Sequence, residues 1–312
     1  QSDGLPELKD AINTYFETYY GYGVARNEVV VTAGAKFALY AFFASVLDAD
    51  DEVIIPTPYW VSYADQVKMV GGTPVFVEGS QETDFKVTVA QLEKVKSDKT
   101  RVLILNSPSN PTGMIYTADE LLAIGQWTVD NDVIILADDI YGRLVYNGNQ
   151  FTPISSLTEA IRKQTIIING VSKTYAMTGW RIGFAVGDAK IIGAMSKITS
   201  QTTSNPTAVA QYATIEALIG SQDAIEQMRT EFEKRLNTIF PLVNEIPGFK
   251  AIKPQGAFYL FPDVSQAMEM KGFTDVTDFC DDILEKIGVA VVTGAGFGAA
   301  KNLRLSYATD VD

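Results

Sequence analysis

Short, continuously apolar runs recur along the first two thirds of the chain, and each is followed by a stretch in which apolar residues return at helical spacing. Several of the runs, around Val102 to Leu105 and Val133 to Ala137, are apolar at consecutive positions, so both of their faces must be covered. That alternation admits few folds: it predicts an α/β unit whose mostly parallel sheet carries helices on both faces. Seven runs fit strands, at residues 28–32, 52–55, 73–77, 101–105, 133–137, 165–169 and 181–186. Helices are expected at 5–19, 36–47, 117–131 and 188–199. Two longer ones follow at 205–219, with Pro206 in its first turn, and at 223–245, bent at Pro241 and ended by Pro247-Gly248.

Beyond Pro247 the pattern changes to short strands at 257–261, 289–292 and 303–307 with one helix at 276–287, which predicts a smaller α+β unit. The expected division is a large domain over 1–238 and a partial small domain over 239–312. Composition narrows the function. A formal charge of -13 repels nucleic acid and anionic lipid, leaving small molecules or proteins as partners. With no histidine in the chain, Ser-His and Cys-His pairs, imidazole bases and His-ligated zinc are excluded. Proton transfer then falls to Lys, Tyr or carboxylates. The single cysteine, Cys280, reads as a small apolar helix residue and suits a reducing, cytoplasmic setting. No apolar run approaches the roughly 18 residues of a membrane span, and Gln1 opens no signal-peptide pattern, so no membrane association is expected.

Four segments carry chemistry-bearing groups. Asn106-Ser-Pro-Ser-Asn-Pro-Thr-Gly113 follows a strand and is either a plain stiff turn or one that offers the Asn110 amide at the sheet's carboxyl edge. In Leu136-Ala-Asp-Asp-Ile-Tyr141 a strand ends in two acids and a tyrosine; Asp138 is suited to pair with a protonated ring nitrogen and Tyr141 to donate to a phenolate-like oxygen. The most specific segment is Asn169-Gly-Val-Ser-Lys-Thr-Tyr-Ala-Met-Thr-Gly-Trp-Arg-Ile-Gly183. Lys173 there follows a buried strand among small, apolar and aromatic neighbours, a setting that lowers an amine's pKa and makes it nucleophilic. Arg181 brings a guanidinium fork suited to phosphate, with Gly179 and Gly183 permitting close backbone approach. Finally Val31-Thr-Ala-Gly-Ala-Lys-Phe37 runs from strand to helix, so the amides of Gly34, Ala35 and Lys36 form a cradle for a phosphate.

In this order and spacing the four segments resemble fold-type I pyridoxal-phosphate enzymes, specifically the class I aminotransferases of the aspartate aminotransferase family, nearly end to end. The resemblance implies that Lys173 carries pyridoxal 5′-phosphate as a Schiff base and shuttles the substrate proton, and that Arg181 with Gly34, Ala35 and Lys36 holds the phosphate. It further implies that Asp138 keeps the ring nitrogen protonated, that Tyr141 and Asn110 bond the ring oxygen, and that Trp60 stacks on the ring. Arg304 matches the family's clamp on the substrate α-carboxylate, with Trp60 and Asn110 also against the substrate. Lys36 matches a lysine that meets a distal carboxylate, which implies aspartate as amino donor and 2-oxoglutarate as acceptor. A homodimer with shared active sites is implied too, the loop at Thr203 and Ser204 facing the neighbour. Two departures stand out: Gly170 replaces a serine, and Asp139 a glutamate. Measured against the family, the chain begins after an amino-terminal arm and stops, at Asp310 to Asp312, before a further helix.

Four alternatives remain at this stage. An aromatic or prephenate-type aminotransferase and a β-lyase would share Lys173, Asp138 and Arg181, and a regulatory cofactor-binding domain would share the fold. The glycine-rich run at Gly294, Gly296 and Gly298 imitates a dinucleotide fingerprint, but Leu303 already starts another strand, so no helix follows as that motif requires.

Overall fold

The computed structural model describes residues 2–309; Gln1 and Asp310 to Asp312, the outer ends of the two expected units, lie outside the described residues. Pro6 opens α1 (Pro6–Tyr19), where the ring's missing N–H leaves no helix bond unmade. Leu8, Ile12, Tyr15 and Phe16 line its buried face at helical spacing. There follow β1 (Val29–Thr32), α2 (Ala35–Val46), β2 (Glu52–Thr57), α3 (Ser62–Met69), β3 (Thr73–Glu78), α4 (Val89–Val95) and β4 (Thr100–Asn106). The next elements are α5 (Ala118–Asp130), β5 (Ile134–Asp138), α6 (Glu159–Lys163), β6 (Thr165–Gly170) and β7 (Gly183–Val186). Thr117 fixes the start of α5: its side chain accepts from the Glu120 amide, while the Glu120 carboxylate accepts from the Thr117 amide.

The seven strands form one sheet in the order β1-β7-β6-β5-β4-β2-β3. Every pair from β3 to β6 is parallel, and only β7 runs against its neighbours. Consecutive side chains point to opposite faces, and the core divides accordingly. Leu136, Ile166 and Ile168 join one apolar cluster with α2 and α3, whereas Ile135, Ala137 and Ile167 join another with α1 and α5. This is why β4, β5 and β6 read as unbroken apolar runs. Pro74 falls in β3, an edge strand, where a missing ladder donor is tolerated.

Beyond the sheet lie α7 (Ala189–Gln201), α8 (Ala208–Ile219) and α9 (Asp223–Glu245), then β8 (Tyr259–Leu260), α10 (Ser265–Lys271), α11 (Val276–Ile287), β9 (Val292–Thr293) and β10 (Leu303–Ser306). The last three strands form an antiparallel sheet, β8-β10-β9, beside a small cluster of Val264, Met268, Phe279, Cys280 and Leu303. Asp275 caps α11 and Gly288 ends it in the left-handed conformation. Among the described residues no helix is long and apolar enough to cross a membrane.

Four short helices, α3, α4, α6 and α10, were not expected from the sequence; five to eight residues are too few to display a helical period. Pro206 precedes α8 and does not lie in its first turn, because the helix starts only after Thr207. Arg181 is not in β7: it sits in the left-handed region at φ 56°, ending a short helical turn, and the strand begins at Gly183. Expected strands in the last portion shrink, with β8 reduced to two residues after Ala257 at φ 58°. Gly294 opens a single helical turn rather than the long helix of a dinucleotide site.

Gly183 packs β7 against the start of α2 so closely that an added Cβ would lie 2.2 Å from the Ala35 nitrogen and 2.5 Å from the Gly34 carbonyl carbon. Both are backbone atoms, so Gly183→Ala must displace the helix start. The expected loss is about 1–3 kcal/mol, read by urea unfolding; an unchanged midpoint would show that α2 moves without cost.

Candidate active site

The carboxyl ends of β4, β5 and β6 lie side by side, and a pocket opens there, the position at which parallel sheets present side chains to a ligand. It is lined by Ala35 and Lys36 from the first turn of α2, Trp60 and Tyr63 from α3 and the residues before it, and Asn106 and Asn110 after β4. Asp138 comes from the end of β5, Ile140 and Tyr141 from the segment just after it, Lys173 from the loop after β6, and Arg181 from the turn before β7. Arg304 of β10 and Tyr259 of β8 close the other side. Nine of the ten residues singled out from the sequence thus meet in one pocket. Gly34, the tenth, is the residue immediately before α2.

Burial sets the electrostatics. Asp138 is 4 % exposed, and desolvation pushes its carboxyl from 3.8 to about 6. The Tyr63 hydroxyl, donating to Oδ2 at 2.6 Å, opposes that rise, as do the Ile140 amide and the nearby Lys173 ammonium. Desolvation moves Lys173 the other way, below the usual amine range; Arg304 pushes it further down and Asp138 pulls it back. Its Nζ lies 5.9 Å from the Tyr141 ring centre and 5.5 Å from that of Phe258. A half-buried amine biased toward its neutral form is a nucleophile and a base.

The remaining groups are held by specific contacts. Asn106 donates from Nδ2 to the Asp138 carbonyl and accepts at Oδ1 from the Asn110 amide, clamping the turn to the neighbouring strand. Arg304 donates from Nη1 to Asn110 Oδ1 at 2.8 Å and packs 4.4 Å from the Tyr259 ring centre. The Asn110 oxygen is therefore engaged, which leaves its amide hydrogens to face a ligand. Tyr141 and Tyr259 share a hydrogen bond at 2.8 Å, and burial holds the Tyr141 phenol well above its usual range. Lys36 is exposed, with Nζ 4.9 Å over the Trp60 ring.

Three observations test whether pyridoxal phosphate fits. Gly34 has φ 85°, and a Cβ there would lie 2.3 Å from Arg181 Nη2, so glycine alone lets the guanidinium lie against the start of α2. The first-turn amides of Ala35 and Lys36 beside it have no carbonyl within the helix to bond and suit an anion. Arg304 Nε is buried without a partner, a vacant donor of the kind a carboxylate fills. An acid, an amine, an anion cradle and a free guanidinium donor in one pocket fit the cofactor and an amino acid together.

The sequence did not single out Tyr63, Asn106, Ile140, Ser172, Thr178 or Tyr259, all of which line the pocket. Tyr63 carries no local signal of its own: Trp60 lies before α3, and the helix that holds Tyr63 is too short to show a period.

The pocket thus sets an amine and an acid just beyond the ends of adjacent parallel strands of an α/β sheet. The family model for aminotransferase class I and II matches residues 1–312, and the chain belongs to that family, which uses pyridoxal phosphate. An asparagine–oxo-acid transaminase of Streptococcus mutans serotype c is 66% identical over 310 residues, spanning 99% of this chain and 79% of the relative. An aspartate aminotransferase of Geobacillus stearothermophilus is 52% identical over 311 residues, spanning 100% and 79%. Among solved structures, the aspartate aminotransferase from Rhizobium meliloti superposes with a TM-score of 0.95 at 39% identity, covering 99% of this chain and 79% of that one. The chain is a transaminase, and the regulatory-domain and nicotinamide readings fall away.

Asp139, next to Asp138, points to the opposite face, where the Tyr20 hydroxyl donates to it at 2.9 Å. Burial pushes its carboxyl to about 7. Because both acids hold protons more tightly folded than unfolded, their contribution to stability is full below pH about 4 and is lost as pH rises toward 7. Asp139→Asn, which keeps an acceptor for Tyr20, should flatten that decline by roughly 4 kcal/mol. Urea titrations of the cofactor-free protein between pH 4 and 8 measure it; parallel curves for wild type and variant would refute the assignment.

Proposed function

We propose that the chain transfers the amino group of aspartate to 2-oxoglutarate with pyridoxal 5′-phosphate held covalently by Lys173. The observation that carries this reading is the burial of Lys173 and Asp138 in one pocket, with the amine shifted toward neutrality and the acid opposite it. Arg181 with the amides of Gly34, Ala35 and Lys36 would hold the phosphate, Asp138 the ring nitrogen, Tyr141 and Asn110 the ring oxygen, and Trp60 one face of the ring. When bound, the cofactor supplies an electron sink for the pair left behind as the substrate Cα loses its proton.

The chain's own groups do the rest. Arg304 orients the substrate α-carboxylate through a two-pronged, charge-assisted contact, for which its vacant Nε and its position against Asn110 are the support. The Lys173 amine would take the proton from the substrate Cα and pass it on within the same half-reaction, and would run the same transfer in reverse, to the Cα of the new amino acid, in the second. Asp138, anionic above pH about 6, balances the positive ring nitrogen. Lys36 meets the distal carboxylate of a dicarboxylic substrate, and its ammonium over Trp60 is consistent with that role. We also propose a homodimer in a cytoplasmic setting, and a division into two domains near Thr238, within α9 and ahead of the three-stranded sheet.

One observation favours a second reading: the relative 66% identical is named for asparagine rather than aspartate. A single variant separates the two. With 2-oxoglutarate as acceptor, Lys36→Ala should lower kcat/KM for aspartate by about 10- to 100-fold, the value of one charge-assisted hydrogen bond, and should leave asparagine nearly unchanged. Equal effects on both would overturn the role of Lys36, and a wild type that turns over asparagine alone would overturn aspartate as donor. Lys173→Ala should abolish turnover with either.

A further inference from the structure

Asp138 and Asp139 are adjacent buried acids, each bonded by one buried tyrosine from opposite sides of the sheet: Tyr63 to Asp138 and Tyr20 to Asp139. Only one of the two tyrosines, Tyr63, lines the pocket. We propose that Tyr63 is a positioning residue of the active site, whose hydroxyl fixes the Asp138 carboxylate in its anionic form and so selects a cofactor with a protonated ring nitrogen. This inference rests on the pyridoxal-phosphate reading above and concerns how that reading's acid is kept charged.

The geometry is specific. The Tyr63–Asp138 separation of 2.6 Å is in the range of a hydroxyl donating to an ionised carboxylate. Tyr63 is 1 % exposed and Asp138 4 %, so the bond is made in a largely desolvated setting. Its ring meets Trp60 edge-on, with centres 5.5 Å apart and planes at 89°, which couples the acid's partner to the aromatic beside the pocket. The other contact to the carboxylate, from the Ile140 amide to Oδ1, is a weaker 3.4 Å. Facing Asp138 are Tyr63 from α3, Lys173 from the loop after β6, and Tyr141 from its own segment, while Asp139 turns to the far face. Of these, Tyr63 most strongly favours the charged form. Remove the hydroxyl, and burial would shift Asp138 toward its protonated form, leaving less charge for a cationic ring.

Two readouts test this, with Tyr20→Phe as the comparison because it deletes the same hydroxyl on the far face. In cofactor-free protein with 13C-labelled aspartate, Asp138 being assigned by Asp138→Asn, Tyr63→Phe should raise the Asp138 titration midpoint by about 1 unit. Tyr20→Phe should move it much less. Affinity is then measured for pyridoxal phosphate and for its 1-deaza analogue, in which carbon replaces the ring nitrogen. Tyr63→Phe should weaken pyridoxal phosphate by about 10-fold and leave the analogue unchanged. Equal losses for both ligands, or an unmoved Asp138 midpoint, would overturn the inference while leaving the cofactor assignment intact; a wild type that binds neither would overturn both. Should Tyr63→Phe not fold, a deuterium isotope shift at the Asp138 carboxyl carbon in wild type reads the same hydrogen bond, and its absence counts against the proposal.

Discussion

Asp138 and Lys173 place opposite charges at the ends of neighbouring parallel strands, where each is costly to bury alone and less so beside the other. Desolvation dominates both: it drives the acid up and the amine down, so the pair stands nearer to mutual neutrality than in water. An amine available without its proton and an acid still able to carry charge are what transamination needs from a chain with no histidine. The β5–β6 register, with Asp138 opposite Ile168, fixes the first group directly and the second through a loop of only a few residues.

The sheet's twofold alternation decides which groups belong to the site. Asp138 and Asp139 are one residue apart, yet they point to opposite faces, one to the pocket and Tyr63, the other to α1 and Tyr20. A shift of one residue would exchange them and bury the functional acid beneath α1. The same alternation keeps both faces apolar in β5 up to its last residue and in β6 from Ile166 to Ile168, so that Asp138 and Asn169 appear only as the strands reach their carboxyl ends.

Much of this could be read from the chain alone. Lys173, Asp138 and Asn110 were recognisable because each follows an apolar run whose end is marked by glycine, proline or charge, Arg181 because its guanidinium stands between Gly179 and Gly183, and α11 was legible to the residue from its period. Other features were set by tertiary contacts that leave no local trace. Arg181 reads as part of a strand, but its backbone is left-handed and its guanidinium lies against the start of α2, an approach that Gly34 permits. Tyr63 and Tyr259 were passed over because one lies on a helix too short to show a period and the other on a two-residue strand; what marks them is the partner each meets, Asp138 and Tyr141. The aspartate assignment rests on Lys36, an exposed side chain, and so is less constrained by the fold than the chemistry is.

The proposed chemistry requires the cofactor to reach one amine, that of Lys173. Borohydride reduction of the protein loaded with pyridoxal phosphate, followed by peptide mapping, should find one pyridoxyl group per chain, on Lys173. Label on Lys36 or another lysine with Lys173 unmodified would contradict it.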